Sequence, residues 1–248
     1  MINRETHGDV AILRFSHGKV NALDAEFLEA LTIELDSTPS TAKALVLTGA
    51  GSTFSAGVDL FRILEGGDGY LDRFLPALDK MLRTLFSLPI PVVAAVNGHA
   101  IAGGCIIALA CDYKLMSGGR IGIPELSVGV PFPVAAFEIV RFAVAPSILQ
   151  KIVYTGRTLG PDEAMAAGLV DELAEPGQIE GRALERARQM GTIPGPTFRL
   201  TKSYMRGIAT ERISRMDAVI DPDVRRLWGD PAVHEVIRGY LDRTLKKK

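Results

Sequence analysis

The sequence predicts an α/β protein with a helical C-terminal appendage. Three observations carry that reading: short apolar runs rich in β-branched residues, helical periodicities between them, and the loss of any strand pattern after Met190. VAILRF (10–15) is the first run, with the continuous apolar character of a buried strand. Asp24 then stands where it can cap a helix whose apolar positions Phe27, Leu28, Leu31, Ile33 and Leu35 recur at roughly helical spacing. ALVLT (44–48) is a second strand. A longer helix covers about 70–87, with Leu71, Phe74, Leu75, Leu78, Met81, Leu82, Leu85 and Phe86 at steps of three and four. VVAAV (92–96) is a third strand, and strand, crossover helix, strand implies parallel pairing. Gly191 to Pro196 is a breaker-rich linker, after which 197–220 and 231–245 read as helical. Such an appendage buries little by itself, so it is expected to pack on the core or on another subunit. The division falls between 193 and 194.

Composition narrows the function classes. The 248 residues carry 28 Lys+Arg and 29 Asp+Glu, a net charge of −1, and 47% are hydrophobic. A sizeable core is affordable at this length, and no basic excess points to nucleic acid. The balance is uneven along the chain: residues 1–195 hold 16 basic and 22 acidic side chains, residues 196–248 hold 12 and 7. No formal charge falls between Arg83 and Asp112, but Pro89, Pro91, Asn97, Gly98, His99, Gly103 and Gly104 puncture the stretch. That pattern suits a strand, a loop and a short helix, and no membrane span is expected. Cys105 and Cys111, six apart in one apolar run, read as reduced buried thiols. The start MINRETHGDV lacks an apolar h-region, so a cytoplasmic or matrix location is expected. Neither CxxC nor HxxxH occurs, so no metal is expected.

Two glycine loops stand out. Gly49-Ala50-Gly51 opens like a dinucleotide fingerprint, but the third glycine position holds Phe54, which argues against a nicotinamide oxidoreductase. Gly98-x4-Gly103 is followed by Gly104 where a phosphate loop needs Lys. What the loops share is a small-residue run leading into a helix: Ala56-Gly57 before Val58-Asp59-Leu60, and Ala102-Gly103-Gly104 before CIIALAC. A helix start exposes N–H groups, and two of them converging on one point make an oxyanion hole. Used singly, such glycines serve turns and close packing.

With Asn21-Ala22-Leu23, Phe54 to Leu60, Val96 to Cys105, Cys111-Asp112-Tyr113, Pro124-Glu125-Leu126-Ser127-Val128-Gly129, Gly168-Leu169-Val170-Asp171 and Leu200-Thr201-Lys202 in order, the chain resembles the enoyl-CoA hydratase/isomerase (crotonase) superfamily. The resemblance implies a spiral of ββα units over 1–193 holding an acyl-CoA site. It also implies a C-terminal helical trimerisation domain over 194–248, a homotrimer or hexamer, and an acyl-CoA thioester of fatty-acid metabolism as substrate. No cofactor beyond the CoA moiety is implied. By the same resemblance the N–H groups of Val58 and Gly103 hold the thioester oxygen, and Ala22, Ala56, Gly57, Asp59, Leu60 and Gly104 belong to the substrate-binding segments.

Hydratases of the family typically hold a water between two glutamates. Here the first of those positions is Ile106, whose side chain holds no water, and the second is Glu125. A single carboxylate moving a proton between C2 and C4 is the chemistry of the 3,2-enoyl-CoA isomerases, to which the motif is most similar, although Pro124 stands where mitochondrial-type isomerases often have Asn. Ile121, Ile123, Leu126 and Phe132 are expected to raise the Glu125 pKa. A hydratase with one glutamate and a non-catalytic acyl-CoA-binding protein are the alternatives. Glu138 is expected on a solvated helix face paired with Arg141, Asp59 as a cap, His99 in a turn, and His7, His17 and His234 without partners. The Met81 and Phe86 stripe is expected in the core, and the basic end Arg243 to Lys248 is expected to lend positive charge to CoA phosphates.

Overall fold

The computed structural model describes residues 1–245; Lys246, Lys247 and Lys248 of the basic tail lie outside the described residues. In chain order the first elements are β1 (Ile2–His7), β2 (Val10–Phe15), β3 (Ala22–Leu23), α1 (Ala25–Ser37), β4 (Ala44–Gly49), β5 (Thr53–Ser55), β6 (Gly57–Val58) and α2 (Leu60–Ser87). There follow β7 (Val92–Val96), β8 (His99–Ile101), α3 (Gly103–Ala110), β9 (Tyr113–Met116), β10 (Ile121–Gly122), α4 (Glu125–Val128), α5 (Val134–Ala143) and α6 (Pro146–Thr155). The last are β11 (Thr158–Leu159), α7 (Pro161–Ala166), β12 (Glu172–Leu173), α8 (Ile179–Gly191), α9 (Gly195–Trp228) and α10 (Pro231–Leu245).

The strands divide between a six-stranded sheet, β1-β2-β4-β7-β9-β12, a four-stranded sheet, β11-β10-β8-β5, and the pair β3-β6. From β2 onward the large sheet is parallel, as the crossover pattern requires. β1 adds an antiparallel edge. In each repeat the chain lays one strand in the large sheet and the next in the small sheet before returning through a helix: β4-β5-α2, then β7-β8-α3. This is the expected ββα spiral. Successive turns stack backbone on backbone, since a Cβ at Gly98 would lie 1.9 Å from the Ser52 carbonyl oxygen. Asn97 locks the stack by accepting from Gly49 N and donating to Gly51 O, each at 2.9 Å.

The apolar positions read for α1 and α2 bury as their periodicity requires, with one exception. Asp24 caps α1, accepting from Phe27 N at 2.8 Å. Ile33, however, is 69% exposed, because two residues from both Leu31 and Leu35 place it on the opposite face. α2 begins ten residues before the expected start, at Leu60, because Asp59 caps it and Gly67, with φ 62° and ψ −164°, absorbs a kink. The linker is shorter than expected: α8 runs through Gly191, and Pro194 and Pro196 open α9, where a missing N–H costs nothing.

The C-terminal helices pack on their own core. Asp112 Oδ2 accepts from Lys202 Nζ and Oδ1 from Arg206 Nη2, both at 2.7 Å, with both cations buried on α9. Lys202 also donates to Ile90 O, and the Arg206 guanidinium lies 4.3 Å from the Phe86 ring centroid. Burial pushes the Lys202 ammonium down to about 8. Cys105 and Cys111 are free and buried. Among the described residues no helix is long and apolar enough to cross a membrane.

Candidate active site

Asn21 sets one side of the site. Buried with φ 51°, it donates to Thr53 O at 2.8 Å and accepts from His17 N at 2.9 Å. Ser55 Oγ donates to Asn21 O at 2.7 Å and accepts from Gly57 N at 3.2 Å. These bonds lay β3 beside β6, pairing Ala22 with Gly57 and Leu23 with Val58. At Gly57 φ is 83°, and a Cβ there would lie 2.7 Å from Ile101 O, 2.8 Å from Ala102 Cβ and 3.0 Å from Gly103 N. Glycine therefore permits the two small-residue loops to touch.

The second loop arrives strained. Ala102, with φ 52° and ψ −124°, is in a conformation that costs an alanine of the order of 1–3 kcal/mol. That turn makes Gly103 the first residue of α3, where its N–H has no intrahelical acceptor and the helix presents its positive end. At Gly104 a Cβ would fall 2.3 Å from Ser55 O, so close helix–strand packing also demands glycine there.

A cavity of about 660 Å³, counting its open mouth, lies against these loops. Ala56, Val58, Leu60, Gly103 and Glu125 line it, together with Leu78, Leu82, Ile106, Val128, Val130, Phe132, Ala136, Trp228 and Tyr240. Glu125, at the start of α4, is the single carboxylate in this lining, is 7% exposed, and its Oε2 has no hydrogen-bond partner among the described residues. Burial pushes its pKa up to about 8, against a weaker opposing bond from its own backbone N–H. Ile106 is buried against the same space. The arrangement pairs a proton acceptor poised near neutrality with backbone donors on the opposite loops, in an apolar enclosure.

The other site residues lie behind this surface. Ala22, Gly57 and Gly104 hold the loops together, and Asp59 caps α2, accepting from Phe61 N and Arg62 N at 3.1 Å. Leu126 is 45% exposed and does not enclose Glu125; Ile106, Val128 and Val130 line that space instead. Glu138 does pair with Arg141, at 3.0 Å, but it is buried because α9 folds over it and brings Arg212 to 3.6 Å. His99 lies in β8 and not in a turn. The other histidines gain partners from tertiary packing: His17 with Asp24 at 2.7 Å, His234 with Trp228 O at 2.8 Å, His7 with Glu5 at 3.6 Å. Met81 and Phe86 are core, whereas Leu78 and Leu82 of the same stripe reach the cavity. Trp228 and Tyr240 were not legible as site residues, since they come from beyond residue 194 and carry no local motif.

Comparison with known proteins bears on this geometry. The family model described as enoyl-CoA hydratase/isomerase matches residues 5–222. The human mitochondrial enoyl-CoA delta isomerase 1 is 26% identical over 255 residues, covering 100% of this chain and 84% of the human protein. A short-chain-enoyl-CoA hydratase of Clostridium acetobutylicum is 30% identical over 203 residues, covering 80% of this chain and 78% of its own. The crystal structure of human mitochondrial delta3-delta2-enoyl-CoA isomerase superposes with a TM-score of 0.94 at 25% identity, covering 100% of this chain and 99% of that one. The chain belongs to the enoyl-CoA hydratase/isomerase family and has the crotonase fold.

Proposed function

We propose that this family member is a Δ3-to-Δ2 enoyl-CoA isomerase of fatty-acid metabolism. The observation that carries the reading is the cavity's single carboxylate: Glu125 lines it, and Ile106 stands where water-adding chemistry needs a second polar holder. In this reading the N–H groups of Val58 and Gly103 donate to the thioester oxygen, and segments 21–23 and 56–60 cradle the CoA arm, with no further cofactor. Glu125 removes a proton from C2 of the 3-enoyl thioester, and the electron pair delocalises onto the thioester oxygen. Collapse of that dienolate forms the C2–C3 double bond as Glu125 returns the proton to C4. Donors aimed at the developing charge supply the largest share of such a rate enhancement. A carboxyl with a pKa of about 8 gives up and regains a proton with little thermodynamic mismatch near neutrality.

The same reading covers assembly. Leu200, Tyr204, Met205, Ile208 and Val219 on α9 are 64–89% exposed, an apolar surface that a homotrimer, alone or paired into a hexamer, would bury. The test of function is a panel of 3-enoyl- and 2-enoyl-CoA esters analysed by product mass spectrometry, with Glu125→Gln alongside. Mass-neutral conversion of 3-enoyl-CoA by the wild type, abolished in the variant with CoA-ester binding kept, supports isomerisation. Hydration of 2-enoyl-CoA at roughly 10 per second or more instead supports a one-glutamate hydratase, and binding without any turnover supports a non-catalytic acyl-CoA-binding protein.

A further inference from the structure

We infer that the acyl pocket ends on a thin partition formed by Leu78, Pro133 and Trp228, and that this partition sets the longest acyl chain accepted; the inference rests on the acyl-CoA reading above. The cavity's lining sorts by depth. Leu60, Phe132 and Tyr240 are partly exposed and frame the mouth, whereas Leu78 and Trp228 are 5% and 2% exposed and Pro133 is buried.

Behind this wall lies a second cavity of about 920 Å³, counting its open mouth. Pro133 lines both cavities. α2 lines the first with Leu78 and the second with Leu75, and α9 lines the first with Trp228 and the second with Val224. Residues three or four apart on a helix are neighbours on adjacent turns, so one layer of side chains divides the two spaces. The indole is held in that layer: Nε1 donates to Pro131 O at 3.0 Å, and the ring lies 6.2 Å from the Phe74 ring. The side chains of the wall itself are apolar and stop an alkyl chain by steric blockage; the space behind it is lined by Asp72, Asp79, Arg83, Asp217, Asp221 and Arg225 as well as by apolar residues.

The experiment varies chain length. kcat/KM is measured for 3-enoyl-CoA esters from six to fourteen carbons, and Kd for the saturated esters by calorimetry, in the wild type, Leu78→Ala, Trp228→Leu and the pocket-filling Ala136→Leu. The expected result is that Leu78→Ala and Trp228→Leu raise the twelve- to six-carbon ratio at least tenfold in both readouts, and that Ala136→Leu lowers it. Should Trp228→Leu not fold, Leu78→Ala and Ala136→Leu decide the matter. A folded Leu78→Ala with the wild-type length profile in Kd overturns the partition. Absence of isomerisation with a shifted Kd profile overturns the isomerase reading and supports the partition.

Discussion

Replacing Glu125 with Gln should stabilise the fold at neutral pH and remove most of its pH dependence there. The carboxyl is buried, unpaired at Oε2 and raised to about 8 from 4.5, so the folded state binds its proton more tightly than the unfolded chain does. The sign follows: stability from this group is fully present below about pH 4.5 and is lost as pH rises through about 8. Gln keeps the shape and polarity of the protonated acid and has no proton to lose. At 1.36 kcal/mol per pKa unit, the variant should gain about 3 kcal/mol over the wild type at pH 7 and about 5 kcal/mol by pH 9, with no gain at pH 4.5. Urea unfolding at pH 4.5, 7 and 9 measures this, with protomer concentration held constant because assembly adds to apparent stability. The chain's single tryptophan, Trp228, is buried and lines the same cavity, so its fluorescence reports the transition. A stability difference that stays constant across those three pH values refutes the argument, since it would mean that Glu125 titrates alike in both states.

Three further outcomes are expected. kcat/KM for a 3-enoyl-CoA should rise with pH through an apparent pKa of about 8, because the free enzyme needs Glu125 ionised to accept the C2 proton; a rate independent of pH from 6 to 9 counts against that role. Gly57→Ala must push the 101–103 loop away and adopt a left-handed φ, so a loss of about 100-fold in kcat/KM is expected from misplaced donors, and activity within threefold of wild type would show that the contact does not set the hole. Asp112→Ala leaves Lys202 and Arg206 buried without their counter-ion, at a cost of about 3–5 kcal/mol; a urea midpoint close to wild type would contradict it.

Local chemistry made much of the fold legible. The runs 10–15, 44–48 and 92–96 are strands within one residue of their expected ends, because a strand buried on both faces must be continuously apolar. The glycines at 57 and 104 were legible as close-approach positions in kind, but not the atoms they approach. Glu138 was misplaced because periodicity marks a face without saying what later folds over it, whereas Ile33 stays exposed because its own spacing from Leu31 and Leu35 puts it off the apolar stripe.

The sequence by itself determined the α/β class, the caps at Asp24 and Asp59, the apolar residue at 106 and the acid at 125. Each follows from backbone sterics, helix-end hydrogen bonding or side-chain chemistry acting over a few residues. Only the tertiary structure decided that Glu125 is buried with its Oε2 unpartnered among the described residues, that Val58 and Gly103 line the same cavity, and that Trp228 and Tyr240 help to wall it. Those properties depend on which distant surfaces exclude water from one another. The burial that raises the Glu125 pKa belongs to the assembled enclosure and to no segment of the chain.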